Sequence, residues 1–196
     1  MKKAIRYVIY VILFAVIIFL FIYIGTYDFK NKNLKDNDIV ASKFSYINSD
    51  NKYYMADIGD INKILDGSGA ILLANPSNVW ADKYASVLNE AALKTNIKKI
   101  AVCDITIDRI QNSKKYQNLL KKLDQYVIYD DLGKGHIYMP TFILVKDKKI
   151  IYIDNETSQT LKTDAVDTYW SDDAKSNKIN IFVEKINEYL EVDSNE

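Results

Sequence analysis

The stretch from Ala74 to Tyr84, ANPSNVWADKY, decides the fold of this 196-residue chain. Directly before it lies the apolar run AILLA (70–74), which is typical of a strand buried on both faces. After it, apolar residues recur at helical spacing until about Thr95. They are Trp80, Tyr84, Val87, Leu88, Ala91 and Ala92. The stretch is therefore predicted to be the turn between a central strand and an amphipathic helix.

Strands and helices alternate along the rest of the chain. The predicted strands, besides AILLA, are KFSYI (43–47), KYYMADI (52–58), KKIAVCDI (98–105), TFILVKD (141–147) and KIIYID (149–154). The further predicted helices are GDINKILDGSG (59–69), SKKYQNLLKKLDQY (113–126) and the segment after the polar loop 155–177. This order predicts an α/β fold of parallel βαβ units, with a central sheet flanked by helices. The closing hairpin, with a tight turn at Asp147-Lys148, adds antiparallel strands and makes the sheet mixed.

The charge balance and the cysteine count exclude several classes of protein. Twenty-six basic and 26 acidic residues give a formal net charge of zero, whereas a nucleic-acid surface needs a basic excess. The single cysteine, Cys103, cannot form an intramolecular disulfide, so the core must hold the fold. The sequence has no phosphate loop, dinucleotide fingerprint or Gly-x-Ser-x-Gly elbow, and we expect no cofactor.

Metal binding is not expected either. The one histidine, His136, cannot build a multi-histidine site. The acidic clusters YDD (129–131) and SDDAKSN (171–177) lack the alternating ligands and central glycine of a calcium loop. We expect His136 to be an exposed loop residue, although its place just before Pro140 leaves open that it lines the rim of a site there.

The amino-terminal segment predicts a membrane anchor. Eighteen consecutive apolar residues, Tyr7–Ile24, span roughly 27 Å as a helix, close to the hydrocarbon thickness of a bilayer. Basic residues precede this run, so the positive-inside rule keeps the amino terminus in the cytoplasm and exports the rest. The alternative, a cleaved signal peptide, normally has a shorter apolar region. The predicted parts are a cytoplasmic tail (1–6), a transmembrane anchor (7–27), a linker (28–42), an extracytoplasmic domain (43–192) and a C-terminal tail (193–196).

Two parts of the sequence resemble a known family. Residues 72–105 resemble a branch of bacterial thioredoxin-like proteins in which a strand leads into Pro-Ser/Thr-Cys-Pro-Trp-Cys and then a helix. The residues that match this motif are Pro76, Ser77 and Trp80. Asn78 and Ala81 stand where that branch has its two cysteines, and Val79 replaces the second proline. Residues 138–151 resemble the strand that this fold enters through a cis-proline, here Pro140. The resemblance covers about residues 44–191 and implies a thioredoxin-like fold.

The loss of both cysteines changes what this position can do. Disulfide exchange needs a thiolate that attacks and a second thiol that resolves the mixed disulfide. Asn78 and Ala81 supply neither sulfur. Asn is instead a strong helix N-cap, whose side-chain oxygen accepts backbone amides at the start of the helix. Asp82 lies in the first turn, where a negative charge interacts favourably with the helix dipole. The position is therefore predicted to be redox-inactive and to stabilise the helix.

The resemblance implies that a peptide-binding groove remains. In this fold the residue before the cis-proline offers backbone groups to an extended peptide, and that interaction needs no cysteine. The candidate groove residues are Ser77, Asn78, Trp80, Met139 and Pro140. Trp80 either forms an exposed aromatic contact on the rim or packs into the domain, and both alternatives stay open. Cys103 lies in the middle of a predicted buried strand and is expected to be a core residue.

The sequence thus predicts a single-pass protein of the cell membrane with a redox-inactive, non-enzymatic thioredoxin-like domain outside the cytoplasm. This domain is expected to bind a peptide or protein partner in the cell envelope. The chain is similar in size and layout to the bacteriocin transport accessory proteins of Gram-positive bacteria, which normally keep their cysteines. One alternative is a thiol-disulfide oxidoreductase that acts through Cys103 or through thiols of a partner. The other is a structural subunit of a membrane complex that assembles through the anchor helix.

Overall fold

A computed structural model of the protein describes residues 15–17, 19, 35–155 and 165–191. The chain divides into two compact units, Met1–Lys35 and Asp36–Glu196. The predicted cytoplasmic tail, the predicted C-terminal tail and most of the predicted anchor lie outside the described residues. Residues 15–17 and 19, within the predicted anchor, are helical. Within the described part of the chain, no helix is long and apolar enough to cross a membrane.

The second unit alternates strands and helices. Its strands are β1 (Tyr53–Met55), β2 (Gly69–Leu73), β3 (Ile100–Cys103), β4 (Ile128–Tyr129), β5 (Gly135–His136), β6 (Thr141–Lys146) and β7 (Lys149–Asp154). Its α-helices are α1 (Asp36–Ala41), α2 (Ile58–Leu65), α3 (Val79–Leu93), α4 (Thr106–Ile110), α5 (Lys114–Lys122), α6 (Val166–Tyr169) and α7 (Asp172–Glu191). A short 3₁₀ helix covers Asp124–Tyr126.

Five strands form one mixed sheet in the order β1-β3-β2-β6-β7. The strands β1 and β2 both run parallel to β3, whereas β6 is antiparallel to β2 and β7 is antiparallel to β6. The short strands β4 and β5 pair with each other in a separate arm. The predicted α/β architecture, a mixed central sheet flanked by helices, is confirmed. This arrangement is compatible with a thioredoxin-like fold.

The sheet separates two apolar clusters, because successive side chains of a strand point to opposite faces. In β2, Ala70 and Leu72 belong to the cluster that α3 and α7 cover. Ile71 and Leu73 belong to the opposite cluster, which α2 and α5 cover. All four side chains are buried, which explains why this strand is apolar throughout rather than alternating.

The domain starts earlier than the sequence suggested. The predicted linker 28–42 contains helix α1, whose Val40 is completely buried against the sheet. The predicted strand KFSYI (43–47) is wrong, because this segment forms turns. Its backbone amides at Ser45 and Tyr46 donate to the carboxylate of Asp82, at 2.7 and 3.1 Å, instead of to a strand.

The segment before the last helix is also more ordered than predicted. The polar loop 155–177 contains the short helix α6 and the first turns of α7, which begins at Asp172. Residues 156–164 of this loop lie outside the described residues. The acidic residues Asp172 and Asp173 lie in the first turn of α7, where negative charges interact favourably with the helix dipole. The last helix therefore begins within SDDAKSN, earlier than the predicted end of the loop.

Candidate functional site

The candidate site lies at the edge of the sheet where β2 and β3 end and β6 begins. Leu73, the last residue of β2, pairs with Cys103 of β3 on one side and with Thr141 of β6 on the other. The turn that follows β2 and the Met139-Pro140 bond that precedes β6 therefore leave the sheet at the same edge. This topology brings the two predicted halves of the groove, residues 77–80 and 139–140, to one edge of the sheet.

The turn after β2 is held by Asn75. Its side-chain oxygen accepts the amide of Ser77 at 2.8 Å, and its side-chain nitrogen donates to the Thr106 hydroxyl at 3.1 Å. Its carbonyl accepts the amide of Asn78 at 3.0 Å. The first residues of α4 are thereby tied to the turn, so the exposed Ser77 and Asn78 are presented on a fixed backbone.

Helix α3 is capped by Asn78, the residue that aligns with the first cysteine of the motif that the sequence resembles. The side-chain oxygen of Asn78 accepts the amides of Trp80 at 2.9 Å and of Ala81 at 3.4 Å. Its backbone is extended, as an N-cap requires (φ −98°, ψ 114°). The predicted cap is confirmed. Ala81, at the second cysteine position, is completely buried and carries no reactive atom.

Trp80 combines the two alternatives that its sequence context left open. The side chain is half-buried, and its ring meets that of Tyr169 edge to face, with centroids 5.4 Å apart. Tyr169 in turn contacts Trp170, which lies against the buried Tyr84. Trp80 therefore forms the outer end of a row of aromatic rings that leads from the candidate site into the core.

The other half of the site is the segment that leads into β6. The Met139-Pro140 peptide bond is cis, as the resemblance implied. Pro140 is buried and Met139 is half-buried. The hydroxyl of Thr141 donates to the carbonyl of Tyr138 at 2.7 Å and so fixes the segment on both sides of the proline. Among the described residues, neither the amide nor the carbonyl of Met139 has a hydrogen-bond partner.

His136 does not join the groove residues in any described contact. It lies in β5 rather than in a loop and is half-buried. Its Nε2 atom lies 2.9 Å from a carboxylate oxygen of Asp130, and its ring lies beside that of Tyr138. The hydrogen bond with His136, followed by that from the Lys134 amide, lowers the pKa of Asp130. The contacts of His136 thus lie within the arm formed by β4 and β5 and beside Tyr138.

Cys103 is a core residue, as predicted. Only 2% of the residue is exposed, and it belongs to the apolar cluster under α2 and α5. Burial, followed by the negative charges of Asp104 and Asp108, raises the pKa of its thiol to about 12. The thiol is therefore neutral at physiological pH and lacks the thiolate that disulfide exchange requires. Among the described residues, no group of three or more His, Cys, Asp or Glu side chains could hold a metal ion.

A buried polar group behind the site was missed by the sequence reasoning. The hydroxyl of Tyr84 donates to the carboxylate of Asp154 at 2.7 Å, and the ammonium of Lys178 lies 3.1 Å from the other carboxylate oxygen. Burial, followed by the charge of Asp154, raises the pKa of Tyr84 well above its ordinary value. Asp154 is paired with Phe142 in the sheet, which places it near the edge where β6 begins. The sequence feature that could have indicated this group is Tyr84 on the apolar face of the predicted helix, because a buried phenol hydroxyl needs a hydrogen-bond partner.

Comparison of the chain with protein-family models, with curated proteins and with solved structures gives no match. A function for this chain therefore depends on the chemistry of its own site. That chemistry consists of a capped helix start, an aromatic side chain and a backbone segment with unused hydrogen-bonding groups.

Proposed function

We propose that residues 36–191 form a thioredoxin-like binding module that holds an extended segment of a protein partner. The binding edge consists of Ser77, Asn78, Trp80, Met139 and Pro140. The observation that carries this proposal concerns Met139, at the entrance to a central strand: its amide and its carbonyl form no hydrogen bond with any residue that the structure describes. An extended peptide lying beside this segment would pair with both groups, as in strand addition. The half-buried Trp80 would contribute apolar contact on the same edge.

The proposal includes no redox step. At the helix start, where a thiolate would be activated, Asn78 uses its side chain to cap the helix. The rival oxidoreductase would have to act through thiols of a partner or through Cys103, whose burial and raised pKa oppose nucleophilic attack. An insulin-reduction assay separates the two, since turnover that Cys103→Ser abolishes would contradict the binding module. The proposal also includes attachment to the cell membrane through residues 7–27, with the domain outside the cytoplasm, and this part depends on the sequence alone.

A site-specific crosslinking experiment tests the proposal in the full-length protein. A photoreactive residue is introduced at Asn78 in cells, and a matched control carries it at Lys94, which is exposed at the opposite end of α3. We expect position 78, but not position 94, to capture a protein, and the substitution Trp80→Ala to reduce the yield at position 78. Capture of the same protein from both positions, or of none from position 78, contradicts the proposal.

The remaining alternative, a structural subunit that assembles through its anchor, predicts a different outcome. Replacing residues 7–27 by an unrelated transmembrane segment keeps the domain exported and tethered. Capture at position 78 should survive this exchange if the edge around Met139 binds the partner. Loss of capture with normal export would instead show that the anchor carries the interaction.

A further inference from the structure

A cleft lies at the end of the sheet opposite to the candidate site. It has a volume of about 390 Å³ and opens between the end of α5, the 3₁₀ helix and the β6–β7 turn. Its lining residues are Lys121, Lys122, Asp124, Gln125, Tyr126, Lys148, Lys149 and Ile150. The volume is within the range of small-molecule sites, about 300–1,000 Å³.

Three of the four lysines of this cleft have no carboxylate partner among the residues that the structure describes. Lys122 is paired with Asp66 and also donates to the carbonyl of Asn62. Within the described part of the chain, Lys121, Lys148 and Lys149 form no ion pair. The lining contains four lysines and one carboxylate, that of Asp124, and Asp66 pairs with Lys122, so the cleft has an excess of positive charge.

The turn that carries two of these lysines is fixed in place. The amide of Asp147 donates to the Ser68 hydroxyl at 2.9 Å, and the amide of Lys148 donates to the carbonyl of Gly67 at 2.7 Å. These bonds join the turn to the loop between α2 and β2. The lysines therefore start from an anchored backbone and not from a loose loop, which reduces the entropy lost when an anion binds.

Lys148 also has an unfavourable backbone conformation. Its φ of 66° lies in the left-handed region, which costs a side-chain-bearing residue more than it costs glycine. Hairpin turns of this kind prefer Asn-Gly or Asp-Gly, and this chain has Asp-Lys instead. The backbone conformation therefore does not explain why a lysine stands at this position. Lys121 lies in the last turn of a helix, where a positive charge interacts favourably with the helix dipole. This explanation does not apply to Lys148 or Lys149.

We infer that this cleft binds a phosphate-bearing anion. Lysine ammonium groups bind phosphate oxygens as point charges, and an anion among the three unpaired lysines would relieve their mutual repulsion. The half-buried Tyr126 and Ile150 would contact the organic part of a phosphate ester. The site is separate from the edge around Met139, so it does not depend on the proposed peptide binding.

Calorimetric titration of the full-length protein in neutral detergent tests the inference. The probes are sodium pyrophosphate, inorganic phosphate and glycerol 3-phosphate, at a matched ionic strength. We expect saturable binding at one site, weakened at least about tenfold by the triple substitution K121Q/K148Q/K149Q. The matched control, K43Q/K94Q/K98Q, removes three exposed lysines elsewhere and should leave binding unchanged. Tighter binding of glycerol 3-phosphate assigns the site to phosphate esters, and tighter binding of the inorganic probes assigns it to free anions.

A single substitution gives an independent test. Lys148→Gly removes a charge and relieves the left-handed backbone, so it should weaken pyrophosphate binding several-fold while raising the Tm. Equal weakening in the control variant would show that the attraction is a general effect of charge and would overturn the site. Absence of saturable binding for all three probes, or unchanged binding in Lys148→Gly and in the triple variant, would also overturn it.

Discussion

The hydroxyl of Tyr84 donates a 2.7 Å hydrogen bond to the carboxylate of Asp154 inside the domain. The ammonium of Lys178 lies 3.1 Å from the same carboxylate, so the charge of Asp154 is paired as well as hydrogen-bonded. The three residues belong to α3, β7 and α7, and they lie where these elements meet behind the candidate site. A charge that is buried in this way requires such partners, because burial without them is costly.

Removal of the Tyr84 hydroxyl should therefore destabilise the protein. We expect Tyr84→Phe to lower the free energy of unfolding by about 1.5–3 kcal/mol, because the lost hydrogen bond has a charged acceptor. Tyr53→Phe is the matched control, since the Tyr53 hydroxyl is equally buried but donates to a neutral carbonyl, that of Ala85. The control should lose only about 1 kcal/mol. Urea denaturation followed by circular dichroism measures both values, and equal losses would show that the charge of Asp154 is not involved.

The cap at Asn78 gives a prediction about the helix start. Asn78→Ala removes the acceptor of the Trp80 and Ala81 amides and should lower the free energy of unfolding by about 1 kcal/mol. Asn78→Asp keeps the acceptor and adds a negative charge at the helix N-terminus, so its stability should be at least that of the original protein. The urea midpoints of the three proteins provide the measurement. An Asp variant as unstable as the Ala variant would contradict the capping role.

The sequence was sufficient for those features whose cause is local. The apolar run of β2 and the helical spacing from Trp80 onward predicted the strand and the helix that flank the turn, and Asn78 predicted the cap. The first part of the domain was not predictable in this way. Polar and apolar residues alternate in 43–47 as in a strand. Two of their backbone amides, however, donate hydrogen bonds to Asp82, which is far along the chain.

Asp82 belongs to a polar pair on the buried face of α3. Asn89 lies seven residues later on that face, and its side chain accepts the amide of Lys52 and donates to the carbonyl of Asp50. The two side chains together hold the backbone between α1 and β1. A tertiary contact of this kind has no local signal, since Asp82 in the first turn was equally well explained by the helix dipole. The same limit applies to the basic cleft, where two distant segments bring their lysines together.

Asp82→Asn tests whether this carboxylate holds the segment. The substitution keeps the size of the side chain but replaces one acceptor oxygen by an amide donor that faces a backbone N–H. We expect a loss of about 1–3 kcal/mol, the cost of one buried donor left without a partner. Asp60→Asn is the control, because the Asp60 carboxylate forms a solvent-exposed pair with Lys63 and its loss should change stability little. A loss in Asp82→Asn no greater than in the control would contradict this role.

The buried thiol of Cys103 makes stability depend on pH in the alkaline range. Its pKa is about 12 in the folded protein and about 9 in a solvated thiol, so the unfolded chain releases its proton first. Unfolding is then increasingly favoured as the pH rises from about 9 to 12, and the contribution is fully present below that range. Cys103→Ala should show a smaller loss of stability over this interval. Ellman's reagent should leave the native thiol unmodified at pH 8 and react with it in denaturant, whereas fast native reaction would contradict the core assignment.

The hydrogen bond between His136 and Asp130 predicts an effect at acid pH. Because this bond, together with the amides of Lys134 and Leu132, lowers the pKa of Asp130 below 3.8, the folded protein holds the carboxylate ionised at pH values where the unfolded chain is protonated. The stabilisation is present above the unfolded pKa and is lost as the pH falls through the folded one. NMR titration of Asp130 should show its pKa rising toward 3.8 in His136→Ala. Tyr138→Ala, which removes only the neighbouring ring, should leave the titration unchanged. An unchanged titration in His136→Ala would instead assign the lowered pKa to the backbone amides.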